Sequence, residues 1–336
     1  MKKIITAQIG TGHDHAPAIF KSLRKNDSVF ETIGICEPNE NRKDSIFSDK
    51  TYEGAKLYTI DELLNMDSLE AVTIETDEVI ATKYAQMFAE KGVAVHLDKP
   101  GSQELASFEK LINTVKKNDS VLQLGYMYRF NPVIKRIIDE VRSGKLGKVY
   151  SVEAHMSVHH PAEKREWLKS FKGGMMYFLG CHLVDLVLLI QGEPQEITAM
   201  NTSLGFDGVS AEDFGFAVLK YENGVSFVKT DAYEINGVDR RHVVVCAEKG
   251  TFEIEPTERQ MEGGQHTLGR VTYNDSKIRH WCDSSEKIDS GCFDRYDNMM
   301  LDFAKLARGE KKNEFTPDYE LRLFKAILKC CGMQAE

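Results

Sequence analysis

Ile4-Ile-Thr-Ala-Gln-Ile9, then Gly10-Thr-Gly12-His-Asp-His15, then Ala16-Pro-Ala-Ile-Phe-Lys-Ser-Leu-Arg-Lys25 is the stretch whose reading decides the fold. The first run is short and apolar, as a buried strand requires. The last places Ile19, Phe20 and Leu23 at helical spacing. Between them, two glycines let backbone amides approach an anion, which the helix N-terminus then stabilises. His15 stands where the usual fingerprint has its third Gly. A β-branched run, Val29–Cys36, follows and ends at Glu37, roughly 25 residues past Gly12 and close to the roughly 20 expected of dinucleotide sites. Strand, glycine turn, helix, strand and acid in that order predict a dinucleotide site over Gly10, Thr11, Gly12, His13, Asp14, His15, Glu37 and Pro38.

Glu37 also bears on the cofactor. A carboxylate there accepts both adenosine-ribose hydroxyls and repels a 2′-phosphate. At 4 Å that repulsion is about 4 kcal/mol with an effective dielectric of 20, and about 1 kcal/mol in bulk water. Arg42 and Lys43 soften it. NAD is therefore the expected cofactor, with NADP as the alternative.

Outward from this stretch the alternation continues. Leu69–Ile74, Val93–Leu97 and Val121–Leu124 read as strands, Ile80–Lys91 and Glu104–Lys117 as helices. Strands alternating with helices imply right-handed crossovers and a parallel sheet covered on both faces. The second half differs. A helix opens at Asn131-Pro132 and runs to Arg142, a strand covers Val149–Val158, and an apolar helix covers Met175–Ile190. Strand-like segments follow at Glu196–Leu204, Phe214–Tyr221, Val225–Ala232 and Arg241–Cys246, with an Asn-Gly hairpin turn at 223–224. Helical spacing returns at Tyr296–Leu306 and Tyr319–Leu328, while the polar segment Pro256–Asp294 reads as a surface excursion. The expected fold is α/β: a Rossmann-type parallel sheet over 1–125, then an α+β domain over 126–336 built on an open, mostly antiparallel sheet that binds substrate and oligomerises.

Composition narrows the function classes. The 336 residues carry 43 Lys+Arg against 52 Asp+Glu, with no basic block, which argues against nucleic-acid binding. The strongest apolar run, Leu183–Ile190, contains Asp185 and is far short of the roughly 20 residues a membrane span needs. The N-terminus reads as a strand rather than a signal peptide. Seven scattered cysteines (36, 181, 246, 282, 292, 330, 331) without a C-x-x-C pair fit reduced thiols in the cytoplasm.

Two further positions carry chemistry. Asp98-Lys99-Pro100 ends a strand of the parallel sheet, where ligands sit in open α/β folds; a Lys there can stabilise developing alkoxide charge. His182 and Asp185 stand three apart on the apolar helix, a base and an orienting carboxylate on one face. Of His155, His159 and His160, strand alternation puts 155 and 159 on one face with no third ligand nearby, so no metal is expected.

Gly10-x-Gly12, Thr76, Asp98-Lys99-Pro100, Tyr126-Met-Tyr-Arg129-Phe-Asn-Pro132, and Gly173-Gly174 with Gly180-Cys-His182-Leu-Val-Asp185 together resemble the Gfo/Idh/MocA oxidoreductases, in order over about residues 1–195. The resemblance implies NAD(P)-dependent hydride transfer at a hydroxyl or keto group of a sugar, cyclitol or related polyol such as inositol. It implies Lys99 at the reacting oxygen, His182 as acid/base or substrate ligand, and the nicotinamide near Thr76 and Lys99, with Asp77 and Asp98 among the cofactor-binding residues. Tyr126, Arg129, His155, Trp167, Tyr177 and His182 are expected to line the substrate, with Lys99 and His182 converging on one cleft. The chain departs from the pattern at Phe178, where many members carry Asp, and at Thr76-Asp-Glu-Val-Ile-Ala81, which lacks the family's Pro and His. Two alternatives follow: a lyase- or glycosidase-like enzyme working through transient sugar oxidation, or a non-catalytic NAD-binding relative. Alternating apolar residues in Phe214–Leu219 and Val225–Val228 point to a homodimer or homotetramer.

Overall fold

The structure is a computed structural model describing residues 2–274 and 285–335. Cys282 and part of the polar excursion lie outside the described residues. The chain forms two compact units, residues 1–127 with 296–324, and residues 128–295 with 325–336.

In the first unit five strands pair in parallel: β1 (Ile4–Ile9), β2 (Phe30–Cys36), β3 (Ala71–Ile74), β4 (Ala94–Leu97) and β5 (Leu122–Leu124), in the order β2-β1-β3-β4-β5. β3, β4 and β5 are buried along their whole length, as strands of a parallel sheet covered on both faces are, and each buries one polar side chain among its apolar ones: Thr73, His96 and Gln123. Helix α1 (Ala16–Lys25) buries Ile19, Phe20 and Leu23, the stripe read from sequence. Phe20 packs with Ile35, Ile46 and Tyr52, its ring 5.1 Å from that of Tyr52. Helices Glu78–Glu90 and Leu105–Asn118 complete the crossovers, and helix Asp297–Ala307 lies against α1. Because the strand order reverses between β1 and β3, the crevice beyond their carboxyl ends is where an α/β fold of this kind places its ligand.

The second unit holds an eight-stranded sheet. β6 (Val149–Ser157), β7 (Glu196–Ala199), β8 (Phe214–Tyr221), β9 (Gly224–Asp231), β10 (His242–Ala247) and β11 (Gly250–Ile254) are joined by β14 (Leu268–Tyr273) and β15 (Glu286–Asp289). β12 (Arg259–Met261) and β13 (Gly264–His266) form a separate hairpin. Only the β6–β9 pairing is parallel among these strands. Residues alternate buried and half-buried along β8 to β11, and helix Cys181–Gln191 covers the buried face at β6 and β9.

Three sequence expectations are corrected. Met175–Ile190 is not one α-helix: Met176–Gly180 forms a π-helical turn, and the α-helix runs Cys181–Gln191. Such turns add a residue to the repeat and alter which side chains share a face, a change invisible to a 3.6-residue count. The strand at Glu196 ends at Ala199 rather than Leu204. Residues 256–294 are not solely a surface excursion, since they contribute β12 to β15; β12, β13 and β15 are strands of three or four mostly polar residues without an apolar signal, and β14, between β11 and β15, fully buries only Val271. No described helix is long and apolar enough to cross a membrane.

Candidate active site

The N-terminal unit places its site residues around the switch point. Gly10 has φ +87°, and a Cβ on it would fall 2.5 Å from Thr76 Cγ2 and 2.7 Å from Thr76 Cα. The turn after β1 therefore lies directly on the segment after β3, and only glycine permits both the conformation and the approach. Its amide donates to Cys36 O at 2.7 Å. Helix α1 starts at Ala16 after His15 and carries no acid in its first turn, so its dipole favours negative charge at the glycine turn.

Glu37 is buried at the end of β2. Its Oε2 accepts from Thr11 N (2.8 Å) and Thr11 Oγ1 (2.6 Å), and its Oε1 from Asn39 N (2.8 Å). These donors hold the carboxylate beside the glycine turn; Pro38 follows it half-buried. Arg42, read as a group that softens Glu37's charge, forks onto Asp77 with both contacts at 2.6 Å. A Cβ on Gly12 would meet Arg42 Nη1 at 2.5 Å and Asp77 Oδ1 at 2.9 Å, so this pair rests against the turn.

Behind the turn, Lys99 and Asp98 follow β4 and are both buried. Asp98 Oδ1 accepts from Lys99 N at 2.7 Å, and His15 Nδ1 lies 3.0 Å from Asp98 Oδ2. Burial alone would raise the Asp98 carboxyl, but His13, His15 and Lys99 together hold it well below the usual range. His13 is pushed down to about 3, chiefly by burial, against the opposing pull of Asp98. Glu75 is raised well above its ordinary value by burial and by the Asp98 charge, and Glu78 is raised to about 7 by burial. Asp14 is exposed, and Tyr126 is buried.

Sequence reading missed three members of this neighbourhood: Glu75, Glu78 and His96, all buried. The signal lay in strand alternation. His96 and Asp98 are two apart and share a face, and Glu75 is a charged residue directly abutting the apolar strand β3.

The C-terminal unit carries the remaining residues. His182 is buried in the first turn of helix Cys181–Gln191, with the edge of Tyr128 against its ring at 5.2 Å. Tyr128 donates its hydroxyl to Glu258 Oε2 at 2.9 Å, and Arg295 Nε donates to Glu258 Oε1 at 2.8 Å. Burial, then the Glu258 charge, pushes Tyr128 up to about 12, so it remains a neutral phenol. Arg129 forks onto Asp185, Nε to Oδ2 at 2.9 Å and Nη2 to Oδ1 at 2.8 Å, both side chains 1% exposed. Asp185, read as the group orienting His182, thus has both oxygens on a guanidinium. His155 Nε2 lies 2.8 Å from Ser157 Oγ and 2.9 Å from Glu234 Oε2, and its Nδ1 3.1 Å from Arg240 O. Tyr177 is fully buried and stacks on Phe171. Trp167 is half-buried, edge-on to Phe171 and Phe178, with Lys164 Nζ 3.7 Å from its ring centre. Phe178, where many family members carry Asp, packs parallel to Phe171.

Residues 5–126 match the oxidoreductase family with an NAD-binding Rossmann fold, and residues 134–253 match the GFO/IDH/MocA C-terminal domain. The chain belongs to the Gfo/Idh/MocA oxidoreductase family. Its relatives include an oxidoreductase of Schizosaccharomyces pombe, 24% identical over 80% of this chain and 75% of the relative. Another is an NADP-dependent D-xylose 1-dehydrogenase of Haloferax volcanii, 26% identical over 68% and 71%. A levoglucosan dehydrogenase solved with NADH and levoglucosan shares the fold, with TM-score 0.78 at 15% identity, covering 98% of each chain. The cofactor of this Gfo/Idh/MocA chain is a nicotinamide dinucleotide of the NAD type. The residues present fit it: a glycine turn that a Cβ would block, and a carboxylate fixed at the end of β2.

Proposed function

We propose that this protein is an NAD-dependent dehydrogenase acting on a secondary hydroxyl of a sugar, cyclitol or related polyol. The observation that carries the reading is Lys99, buried directly after β4 in the unit whose glycine turn, Thr76 and Glu37 suit the dinucleotide. NAD, when bound, supplies the hydride acceptor. Gly10, Thr11, Gly12, His13, Asp14, His15, Glu37, Pro38, Thr76, Asp77 and Asp98 are proposed to hold it. Lys99 donates a hydrogen bond to the reacting oxygen, favouring the alkoxide character that precedes hydride loss. His182, in the other unit, is assigned the hydroxyl proton. Trp167, with its half-buried indole, offers a flat apolar surface to the C–H face of a ring. Tyr126, Arg129, His155 and Tyr177 back the substrate wall. The functional division we propose is 1–125 for cofactor and 126–336 for substrate and oligomerisation.

Support for the substrate class comes from the relatives, which include a D-xylose dehydrogenase and share the fold of a levoglucosan dehydrogenase. Six free thiols among the described residues support a reducing, cytoplasmic setting. The half-buried face carrying Phe216 and Phe227, whose rings stack at 5.6 Å, supports a homodimer or homotetramer; a monomeric mass by light scattering would contradict it. Phe178 favours a second reading, in which the protein retains NAD and either oxidises a sugar transiently or binds without turnover. A panel of aldoses and inositols followed at 340 nm with NAD separates these. Net NADH formation supports the dehydrogenase. Product without net NADH supports transient oxidation, and neither, with NAD still bound, supports the binder.

A further inference from the structure

We infer that Glu78 serves the nicotinamide half of the dinucleotide and makes the site discriminate its two redox states, the carboxylate favouring the charged ring of NAD⁺ over the neutral ring of NADH. This presupposes the nicotinamide cofactor but not the polyol.

Strand order fixes the direction in which the cofactor runs. The sheet reads β2-β1-β3-β4-β5, with the glycine turn after β1 at the switch point. Glu37, following β2, lies to one side of that turn, where the adenosine ribose belongs. The other half of the dinucleotide therefore runs the opposite way, over the ends of β3 and β4. Glu78 stands on that side, as the first residue of the helix Glu78–Glu90 that follows β3. Lys99, after β4, is the cation that acts most strongly on its carboxyl.

The carboxylate is enclosed yet lacks a donor. Glu78 is 4% exposed, and no side chain of the described residues hydrogen-bonds it. His13 Nε2, 3.6 Å from Glu78 Oε1, falls short of hydrogen-bond distance. His13 cannot supply charge either: its Nδ1 accepts from His15 N at 3.1 Å, and burial holds the ring down to about 3, so it stays neutral. The remaining charges nearby have other partners. Arg42 forks onto Asp77, while Asp98 accepts from Lys99 N and lies 3.0 Å from His15 Nδ1. Glu75, raised by burial and by the Asp98 charge, adds a neutral carboxyl, and Asp14 is exposed. Glu78 sits in the first turn of its helix, where the dipole also favours an anion. A cation delivered by the ligand suits such a group, and only the oxidised ring carries one.

The consequence is a proton linkage. Burial, opposed by Lys99, brings Glu78 up to about 7. A positive ring pulls it back down, so Glu78 releases its proton to solvent as NAD⁺ binds and takes one up when the ring becomes neutral. Affinity for NAD⁺ thus rises with pH through that value, and affinity for NADH does not.

The test titrates the full chain with NAD⁺ by calorimetry and with NADH by fluorescence, at pH values either side of about 7. Groups that meet the pyrophosphate or adenosine, such as His15 and Glu37, act on both redox states and cancel in the ratio of the two dissociation constants. That ratio should shift by at least about fivefold, the low end of coupling between two bound charges, with NAD⁺ the tighter at high pH. Glu78→Gln should make it independent of pH. Glu78→Asp should keep the dependence and move its midpoint down, because Asp ordinarily titrates below Glu. A ratio that does not change with pH in the unaltered protein overturns the inference. So does an unchanged dependence in a folded Glu78→Gln protein, or an unmoved midpoint in Glu78→Asp should the Gln variant not fold. No sugar or cyclitol enters either titration, so this result and the outcome of the polyol panel fail separately.

Discussion

Gly10 is the residue on which the cofactor turn depends. Gly10→Ala sets a Cβ into Thr76 and holds a non-glycine residue at φ +87°, a strain of about 1–3 kcal/mol before the clash is relieved. Loss of NAD binding by calorimetry, with the fold retained, is the expected outcome. Asp77 has a subtler role, because it occupies Arg42, the guanidinium read as offsetting Glu37. Asp77→Asn should free Arg42 and raise kcat/KM for NADP relative to NAD; an unchanged ratio would show that Arg42 does not reach the adenosine ribose. At Lys99 and His182, substitution by Ala should each lower turnover by about 10²- to 10⁴-fold, the usual worth of a proton donor or acceptor, with NAD affinity nearly intact. Wild-type rates in both would remove the assigned roles.

Among the elements, helix Cys181–Gln191 is buried on nearly all sides, and the Arg129–Asp185 pair accounts for its one charged position. Removing one partner strands a buried charge. Arg129→Met or Asp185→Leu alone should cost about 3–5 kcal/mol in urea unfolding, while the double substitution should recover most of that loss. Additive losses would mean the pair is not coupled. The helix was legible in sequence because its apolar run is long, but its partnership was not: Arg129 and Asp185 lie far apart in the chain, and spacing reveals only local faces. The π-helical turn Met176–Gly180 was hidden for a related reason, since periodicity assumes the repeat that the turn breaks. Strands β1 to β5 were readable because both faces are buried. Polar β12, β13 and β15 gave no comparable signal, and β14 has one fully buried residue, Val271, to mark it. Glu75 and His96 went unread as a pair because neighbouring parallel strands, not sequence, bring them together.

At the scale of the whole molecule, the two units have separate chemical tasks in the proposed reaction: dinucleotide binding in the parallel-sheet unit, and substrate binding on the antiparallel one. In that proposed reaction the chain moves a hydride from a polyol carbon to NAD. Its most direct test is incubation with NAD and a sugar or cyclitol deuterated at the reacting carbon, followed by mass and NMR analysis of the nicotinamide. Deuterium at nicotinamide C4 is expected, with a slower rate than for the protiated substrate. Unlabelled cofactor across the whole panel, from protein shown to bind NAD, would contradict it.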